Sequence, residues 1–385
     1  MTHSNTVLSQ MLTMIPRHEF EKLANTAGGR VRSTALSRWS QFVALTVGQL
    51  NGRQSLRDIE SCLSTQRHLH YHLGTQAVSK SALARANEQR DALFYRQLFE
   101  ALYQRCARHA PRHGFRFKHK LFSLDGSLLN ASMKLFPWAD YNRKKAAFKL
   151  HVGLDHDGLI PCFAQVTEGR VSENEQARAF NAPQGSVVVF DKGYNNYRWH
   201  KALTDKGIYW VTRIRGNAQY TVRARSEHHH HLAITSDQII KYSSKQRDGD
   251  KLYPIRRIGY RDPETGRHYV FITNRFDWSA QTIADIYKQR WQVELFFKWI
   301  KQNLKIKTFL GNSKNAVLTQ VLAALCVYLL IAFMKFQSKL AQSMQQITRL
   351  LHTNLFSKRD LMSLFQKIKP NKHPPPQMTL ALVRS

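Results

Sequence analysis

Apolar residues recur at three- and four-residue spacing through the first hundred positions, the period of helices packed on one face. SRWSQFVALTVGQL (37–50) and ALFYRQLFEALYQRC (92–106) carry the clearest stripes. Between them, SLRDIESCLS and VSKSALARANEQRD read as two short helices joined by the turn-prone HLGTQ, with Ser79 placed to cap the second. From about residue 115 the rhythm becomes that of strands: HKLFSLDGSLLNAS (119–132), AFKLHVGLD (147–155) and LIPCFAQVTEG (159–169), the last two joined by a His-Asp-Gly turn. A polar helix, SENEQARAF, precedes SVVVFDKGY (186–194), whose apolar run marks a strand buried on both faces. Another short helix leads into the strand GIYWVTRIR (207–215). Residues 216–275 break this alternation with polar, β-prone material around the turn signal Pro263 to Gly266. Helix returns from about Ser279 to Leu304 and continues to a basic, Pro-rich C-terminal stretch, KIKPNKHPPPQ. The pattern is α/β: a mixed sheet flanked by helices with a β-rich insertion, after an all-helical N-terminal part.

Charge narrows the function. The 385 residues include 58 Lys+Arg against 26 Asp+Glu, a formal net charge of +32, which predicts a polyanionic partner. With 43% hydrophobic and 11% aromatic residues, wholesale disorder is excluded, as are an acidic tail and a disulfide-stapled module. The helix after Ser79 presents Lys80, Arg85 and Arg90, which fits a helix-turn-helix-like DNA reader and equally a plain bundle with a solvated basic face. Four scattered cysteines (Cys62, Cys106, Cys162, Cys326) have no metal-type pairing and read as buried thiols of a reducing compartment. The N-terminus has no signal-peptide pattern. Residues 316–334 approach the length of a membrane span, but Thr319 and Gln320 interrupt them and lysines crowd both sides, so they are expected to be a buried helix rather than a span. The run His228–His231, in a polar loop, reads as accidental rather than metal-binding.

Three carboxylates carry candidate chemistry. Asp125 and Asp191 each follow an apolar strand, where a carboxylate is expensive to bury unless it is paired or binds a cation. Strand ends of an α/β sheet are also where ligands gather. The third acid is on YKQRWQVELFFKWIKQNL (287–304). At about 100° per residue, Tyr287, Arg290, Glu294, Lys298 and Lys301 share one narrow stripe, while Val293, Leu295, Phe296, Trp299 and Ile300 fill the packing arc. A lone Glu among cations suits a site binding metal through Glu294 and phosphates through the bases. Three carboxylates suffice for two Mg²⁺ ions, which prefer hard oxygen ligands, and His and Cys are absent from their immediate flanks. Such a pair serves in-line displacement at a phosphodiester of a nucleic acid.

Tyr287, Arg290, Glu294 and Lys301 have the spacing of the YREK signature, and the chain resembles the DDE transposases of bacterial insertion sequences, of the insertion-sequence-four type. LDGS around Asp125 and FDKGY around Asp191 are similar to that family's two aspartate motifs, 66 positions apart, with Glu294 a further 103 on. The resemblance covers about residues 115–335, with a fainter likeness in the N-terminal helices.

It implies a ribonuclease-H-like core in which Asp125, Asp191 and Glu294 are catalytic and bind two Mg²⁺, with Mn²⁺ substituting. Tyr287, Arg290 and Lys301 would grip phosphates, with Lys298 a further candidate on the same face. Trp291 is a candidate for stacking on a base, and Tyr194 for lining the site. The expected organisation is a helical DNA-binding domain (1–112) for inverted repeats, a catalytic domain (113–335) with its insertion at 216–275, and a basic helical C-terminal region (336–385). The implied activity is metal-dependent cleavage at terminal inverted repeats and strand transfer into target DNA by cut-and-paste. A homodimer on paired DNA ends, with no membrane, in the bacterial cytoplasm at the nucleoid, is the expected setting. The alternative is a non-catalytic, domesticated DNA-binding protein that keeps the fold.

Overall fold

The computed structural model describes residues 5–28, 36–132, 135–136, 138, 140–142, 145–169, 171, 173–226, 233–242 and 253–366. The His228–His231 run and the stretch KIKPNKHPPPQ lie outside the described residues.

The N-terminal part is helical: α1 (Val7–Leu12), α2 (Arg17–Gly28), α3 (Arg38–Leu50), α4 (Leu56–Ser64), α5 (His70–Leu73), α6 (Lys80–Gln89) and α7 (Leu93–Ala107). Ser37, Ser55 and Ser79 cap α3, α4 and α6 by accepting backbone N–H bonds, and Ser55 with Asp58 forms a reciprocal capping box. The HLGTQ connection is more than a turn, because α5 precedes Gly74, which ends that helix in the left-handed conformation (φ 59°). Lys80 and Arg85 are exposed as expected. Arg90 is not: α6 ends at Gln89, and extended backbone turns Arg90 inward, where it donates to Gln41 Oε1 (3.0 Å) and to the Leu36 carbonyl.

The first strands are β1 (Leu121–Ala131), β2 (Asp140–Asn142), β3 (Lys145–Asp155) and β4 (Ile160–Glu168). After α8 (Glu173–Ala177) come β5 (Val187–Phe190), α9 (Tyr197–Asp205) and β6 (Tyr209–Arg213). β3 runs antiparallel to both β1 and β4, while β1, β5 and β6 are parallel neighbours. The order β4-β3-β1-β5-β6, with one reversed strand, is the ribonuclease-H-like arrangement that the resemblance implies. The β-rich insertion supplies β7 (Tyr220–Arg225), β8 (Ile234–Tyr242), β9 (Ile255–Arg261) and β10 (His268–Thr273). These strands extend the same sheet, because β10 pairs with β6 and is followed outward by β9, β8 and β7.

The helices that close the chain are α10 (Ala280–Gln289), α11 (Trp291–Asn303), α12 (Lys314–Gln337) and α13 (Met344–Asn354). The single helix expected from Ser279 to Leu304 is therefore two. At the break, Arg290 donates to the Tyr287 carbonyl and Val293 to that of Arg290, tighter three-residue bonds that interrupt the α ladder. Neither Pro nor Gly marks the position, so the periodicity runs through it without a sign. Residues 316–334 do form a buried helix: 94% of the most apolar window of α12 is buried inside the protein. It packs against α3, α6, α7, α13 and β4.

One apolar core joins Phe42, Phe94 and Leu98 of the N-terminal helices to Leu150 and Val152 of β3, Phe296 of α11, Leu325 of α12 and Leu351 of α13. The boundaries expected near 112 and 335 thus separate elements that share a core. The two ends of the fold also meet, with Val7 donating to Ser357 O (3.1 Å) and Leu8 to Leu355 O (2.9 Å). Two smaller clusters cover opposite faces of the central strands. Phe122, Leu124, Val188 and Phe190 meet Trp199 and Leu203 of α9 on one face. Leu121, Val187 and Val189 meet Ile283 and Ile286 of α10 on the other. Of the cysteines, Cys106 and Cys326 are buried, but Cys62 and Cys162 are only half-buried, and all four are free thiols.

Candidate active site

Strand alternation and parallel pairing create the site. Leu124 of β1 pairs with Phe190 of β5, so the residues that follow, Asp125 and Asp191, emerge side by side. They share the face of Leu121, Val187 and Val189, the face covered by α10. The run of buried residues is interrupted at this point: β1 is buried from Leu121 through Leu124 and half-buried at Asp125, Gly126 and Ser127.

Asp191 caps a short 3₁₀ turn, Lys192–Tyr194, and accepts from the Gly193 N–H (3.4 Å). Its Oδ1 also accepts from Arg213 Nη2 (3.2 Å) at the end of β6 and from the Tyr287 hydroxyl (3.3 Å) at the end of α10. Burial pushes the Asp191 carboxyl up, but the Lys192 N–H, the Arg290 and Arg213 cations and the Gly193 N–H outweigh it and hold the group below the ordinary carboxylate range. Burial also raises the Tyr287 hydroxyl to about 12, so it remains a proton donor to Asp191.

Asp125 accepts from the Gly126 N–H (2.8 Å), and its Oδ2 lies 3.8 Å from Arg290 Nη1. The other arm of that guanidinium, Nη2, donates to Glu294 Oε1 at 2.6 Å. Arg290, at the break between α10 and α11, therefore bridges the β1 aspartate and the helical glutamate. Burial disfavours its charge, yet Tyr287, Glu294 and Asp125 together raise its proton affinity above the usual value. Lys301 has its hydrogen bonds on β1: its Nζ donates to Ser127 Oγ (2.7 Å) and to Leu128 O (2.9 Å), just beyond Asp125.

The donors Asp125, Asp191 and Glu294 are all carboxylate oxygens, the set a hard divalent cation takes. The guanidinium between Asp125 and Glu294 stands in for such a cation, already placing positive charge between them. Among the described residues, no three His, Cys, Asp or Glu side chains converge closely enough to hold an ion as they stand. The donor chemistry fits a metal, and Arg290 has to give way for the carboxylates to close on it.

The remaining expected residues divide. Trp291 is 55% exposed and, with Tyr260, Tyr269, Phe271 and Tyr287, lines a cavity of ≈ 240 Å³ beside Arg213 and Arg290. Lys298 is exposed on the outer side of α11. Leu295 does not pack: it is 42% exposed, because it lies about half a turn from Val293. The buried arc of α11 is Val293, Phe296, Phe297 and Ile300. Tyr194 does not line the face that carries Asp125 and Asp191 either. Its hydroxyl lies 3.3 Å from where a Cβ on Gly126 would stand, and Gly126 points to the face of β1 opposite Asp125. Sequence reasoning missed Arg213; the signal is its place at the end of β6, the parallel neighbour of β5, one strand from Asp191.

The family profile described as transposase DDE domain matches residues 116–330, and a domain of unknown function (DUF4372) matches residues 3–76. The Sinorhizobium fredii protein y4zB, named as a transposase, is 30% identical over 298 residues, covering 76% of this chain and 80% of the relative. A Geobacillus stearothermophilus protein named as the transposase for insertion sequence element IS5377 is 29% identical, over 63% of this chain and 64% of its own. The corresponding protein for element IS4SA of Synechocystis is 22% identical, over 74% and 81%. Among solved structures, the piggyBac transposase synaptic complex with hairpin DNA superposes with a TM-score of 0.44 at 12% identity, covering 91% of this chain and 79% of that one. The chain belongs to the transposase DDE domain family, as a transposase of insertion sequence elements.

Proposed function

We propose that this transposase cuts DNA at the element's terminal inverted repeats and joins the freed ends to target DNA by cut-and-paste, with Asp125, Asp191 and Glu294 as its catalytic carboxylates. The observation that carries the reading is the juxtaposition of Asp125 and Asp191 on neighbouring parallel strands, with Glu294 linked to Asp125 through Arg290. Bound by these three side chains, two Mg²⁺ ions would supply an activated water or 3′-hydroxyl and stabilise both the attacking and leaving oxygens. Mn²⁺ would substitute.

The chain's own groups do the positioning. Tyr287 and Arg213 hold Asp191 in place through its Oδ1. Arg290 exchanges its carboxylate partners for a phosphate beside the scissile bond, a bidentate geometry for which its planar fork is suited. Lys301, fixed on the β1 backbone, meets the next phosphate, and Lys298 adds an outer contact. Trp291 stacks on a base or sugar at the mouth of the aromatic cavity. The N-terminal helices, with Lys80 and Arg85 exposed on α6, read the inverted repeat, and two copies pair the two ends.

The test is strand cleavage of a labelled fragment bearing the element's own end, with Mg²⁺, comparing the wild type with Glu294→Gln. Cutting and joining by the wild type alone, with both proteins binding, supports the three-carboxylate site. Equal cutting by the mutant removes Glu294 from it. Binding without cutting by either makes the chain a DNA-binding protein that keeps the fold.

A further inference from the structure

Beyond Lys301, α11 runs into a loop that carries two more lysines, and the protein goes to some length to hold them. Gln49 of α3 clamps the loop from one side, accepting from the Lys305 N–H (2.6 Å) and donating to the Lys305 carbonyl (3.3 Å). Gln320 of α12 clamps it from the other, donating to the carbonyls of Lys305 (2.6 Å) and Thr308 (2.8 Å) and accepting from the Leu310 N–H (2.7 Å). Both glutamines are buried, at 2% and 1% exposure, and an amide so placed is costly unless its hydrogen bonds are made. Leu304 and Ile306 anchor the same loop in the core. What these anchors fix is a set of like charges. Lys307 is exposed and Lys305 half-buried, and neither has a carboxylate within ion-pair range among the described residues. Burial and the charge of Lys307 both depress the proton affinity of Lys301, so the repulsion reaches back to the catalytic strand. At its far end the row reaches the N-terminal helices: the Lys305 stem lies 3.6 Å from where a Cβ on Gly52 would stand, in the turn between α3 and α4.

Lys120, by contrast, is held by Asp155 and Asp157. A rigid row without acids, running from Ser127 to the α3–α4 turn, matches a ligand with several spaced negative charges better than a single small anion. We infer that Lys301, Lys307 and Lys305 form a track for the backbone of duplex DNA, leading it from the catalytic centre onto the N-terminal helices. The inference rests on the transposase reading above and adds the surface along which the duplex continues.

The experiment measures binding of a duplex carrying the element's end as a function of KCl, for the full chain and for Lys305→Gln/Lys307→Gln. Each lost phosphate contact lowers the slope of log K against log[salt] by about 0.9, so the double variant is expected to lose about 2 units of slope. Lys201→Gln/Lys206→Gln is the charge-matched control, on α9 and the residue that ends it, where the helix packs on the opposite face of the sheet. An unchanged slope in the loop variant, or an equal drop in the control, overturns the track. Should the double variant fail to fold, Lys307→Gln alone, at an exposed position, carries the test with an expected drop of about 1. Mg²⁺-dependent cutting by the wild type with no change of slope sinks the track and leaves the transposase reading intact. A changed slope in a protein that never cuts does the reverse.

Discussion

Replacing Arg290 with glutamine is expected to move metal affinity and catalysis in opposite directions. In the free protein this guanidinium is bonded to Glu294 at 2.6 Å and lies 3.8 Å from Asp125, so an incoming divalent ion has to break those contacts first. A hydrogen bond to a charged group contributes about 1.5–3 kcal/mol. Glu294 is one-third exposed, and solvent screening places the pair at the lower end, about 1.5 kcal/mol. The longer contact to Asp125 adds little. Removing the competitor should therefore tighten binding to the DNA-free protein about tenfold, since about 1.4 kcal/mol corresponds to one decade. The assay is titration of the DNA-free protein with Mn²⁺, followed by electron paramagnetic resonance of the unbound ion, for wild type, Arg290→Gln and Arg290→Gln/Glu294→Gln. The double variant should lose the gain, because the released carboxylate is gone. Cleavage by Arg290→Gln should fall by at least tenfold, through loss of a charge-assisted phosphate contact of about 1.5–3 kcal/mol. Mn²⁺ binding by Arg290→Gln no tighter than by wild type would show that the guanidinium does not occupy the ion's place.

Two further predictions concern stability. His151, His156 and His200 are buried, and burial first, then Lys149, His113 and Arg215 respectively, hold them near pKa 4, 4 and 3. The unfolded chain takes up these protons near pH 6.5 and the folded one only near 4, or near 3 for His200, so stability should fall as the pH drops through that window, by at most about 1.4 kcal/mol per pH unit for each histidine. Tm measured between about pH 7.5 and about pH 5 should decline and decline less for His200→Phe, whose ring keeps the stack on Trp210; a flat wild-type profile would contradict the assignment. Arg256 forms a two-pronged pair with Asp237 (2.6 and 2.9 Å), both about nine-tenths buried, and also donates to the carbonyls of Arg275 and Phe276. Arg256→Met should cost about 3–5 kcal/mol in urea unfolding by stranding Asp237, and a loss under about 1 kcal/mol would mean that water reaches the aspartate.

The strands that carry the two aspartates were legible because their physics is local. An apolar run ending in an aspartate reads as a strand end whether or not its neighbours are known. β5 does end at Phe190, just before Asp191, whereas β1 continues through Asp125 to Ala131, so there the aspartate marks the end of the fully buried part of the strand and not of the strand itself. Pairing is not local, and so Arg213 was missed: its relevance comes from β6 lying beside β5, which no spacing within the chain encodes. The break at Arg290 was invisible for a related reason. Every residue from Tyr287 to Leu304 tolerates helix, and the interruption lies in the bonding of Arg290 and Val293 rather than in a helix-breaking side chain. Arg90 and Tyr194 erred through direction. Each is near the expected place, but backbone geometry turns one inward and puts the other behind the sheet. The buried glutamines are the converse case: Gln320 looked like an interruption of an apolar helix, and it is a clamp.

The pairing of the first helix with residues 355–357, and of α3 and α7 with α12, has a consequence for synthesis. Helices made within the first hundred residues pack partly on one another and partly on partners made more than two hundred residues later, so the part of their apolar surface that α12 covers stays open on the ribosome until nearly all the chain has emerged. Chaperone occupancy along the nascent chain should therefore persist past α11 and fall only after α12 is out. A chain cut short before α12 would carry Asp125, Asp191 and Glu294 and still lack the helix against which α3, α6 and α7 pack, so such a copy is expected to be inactive.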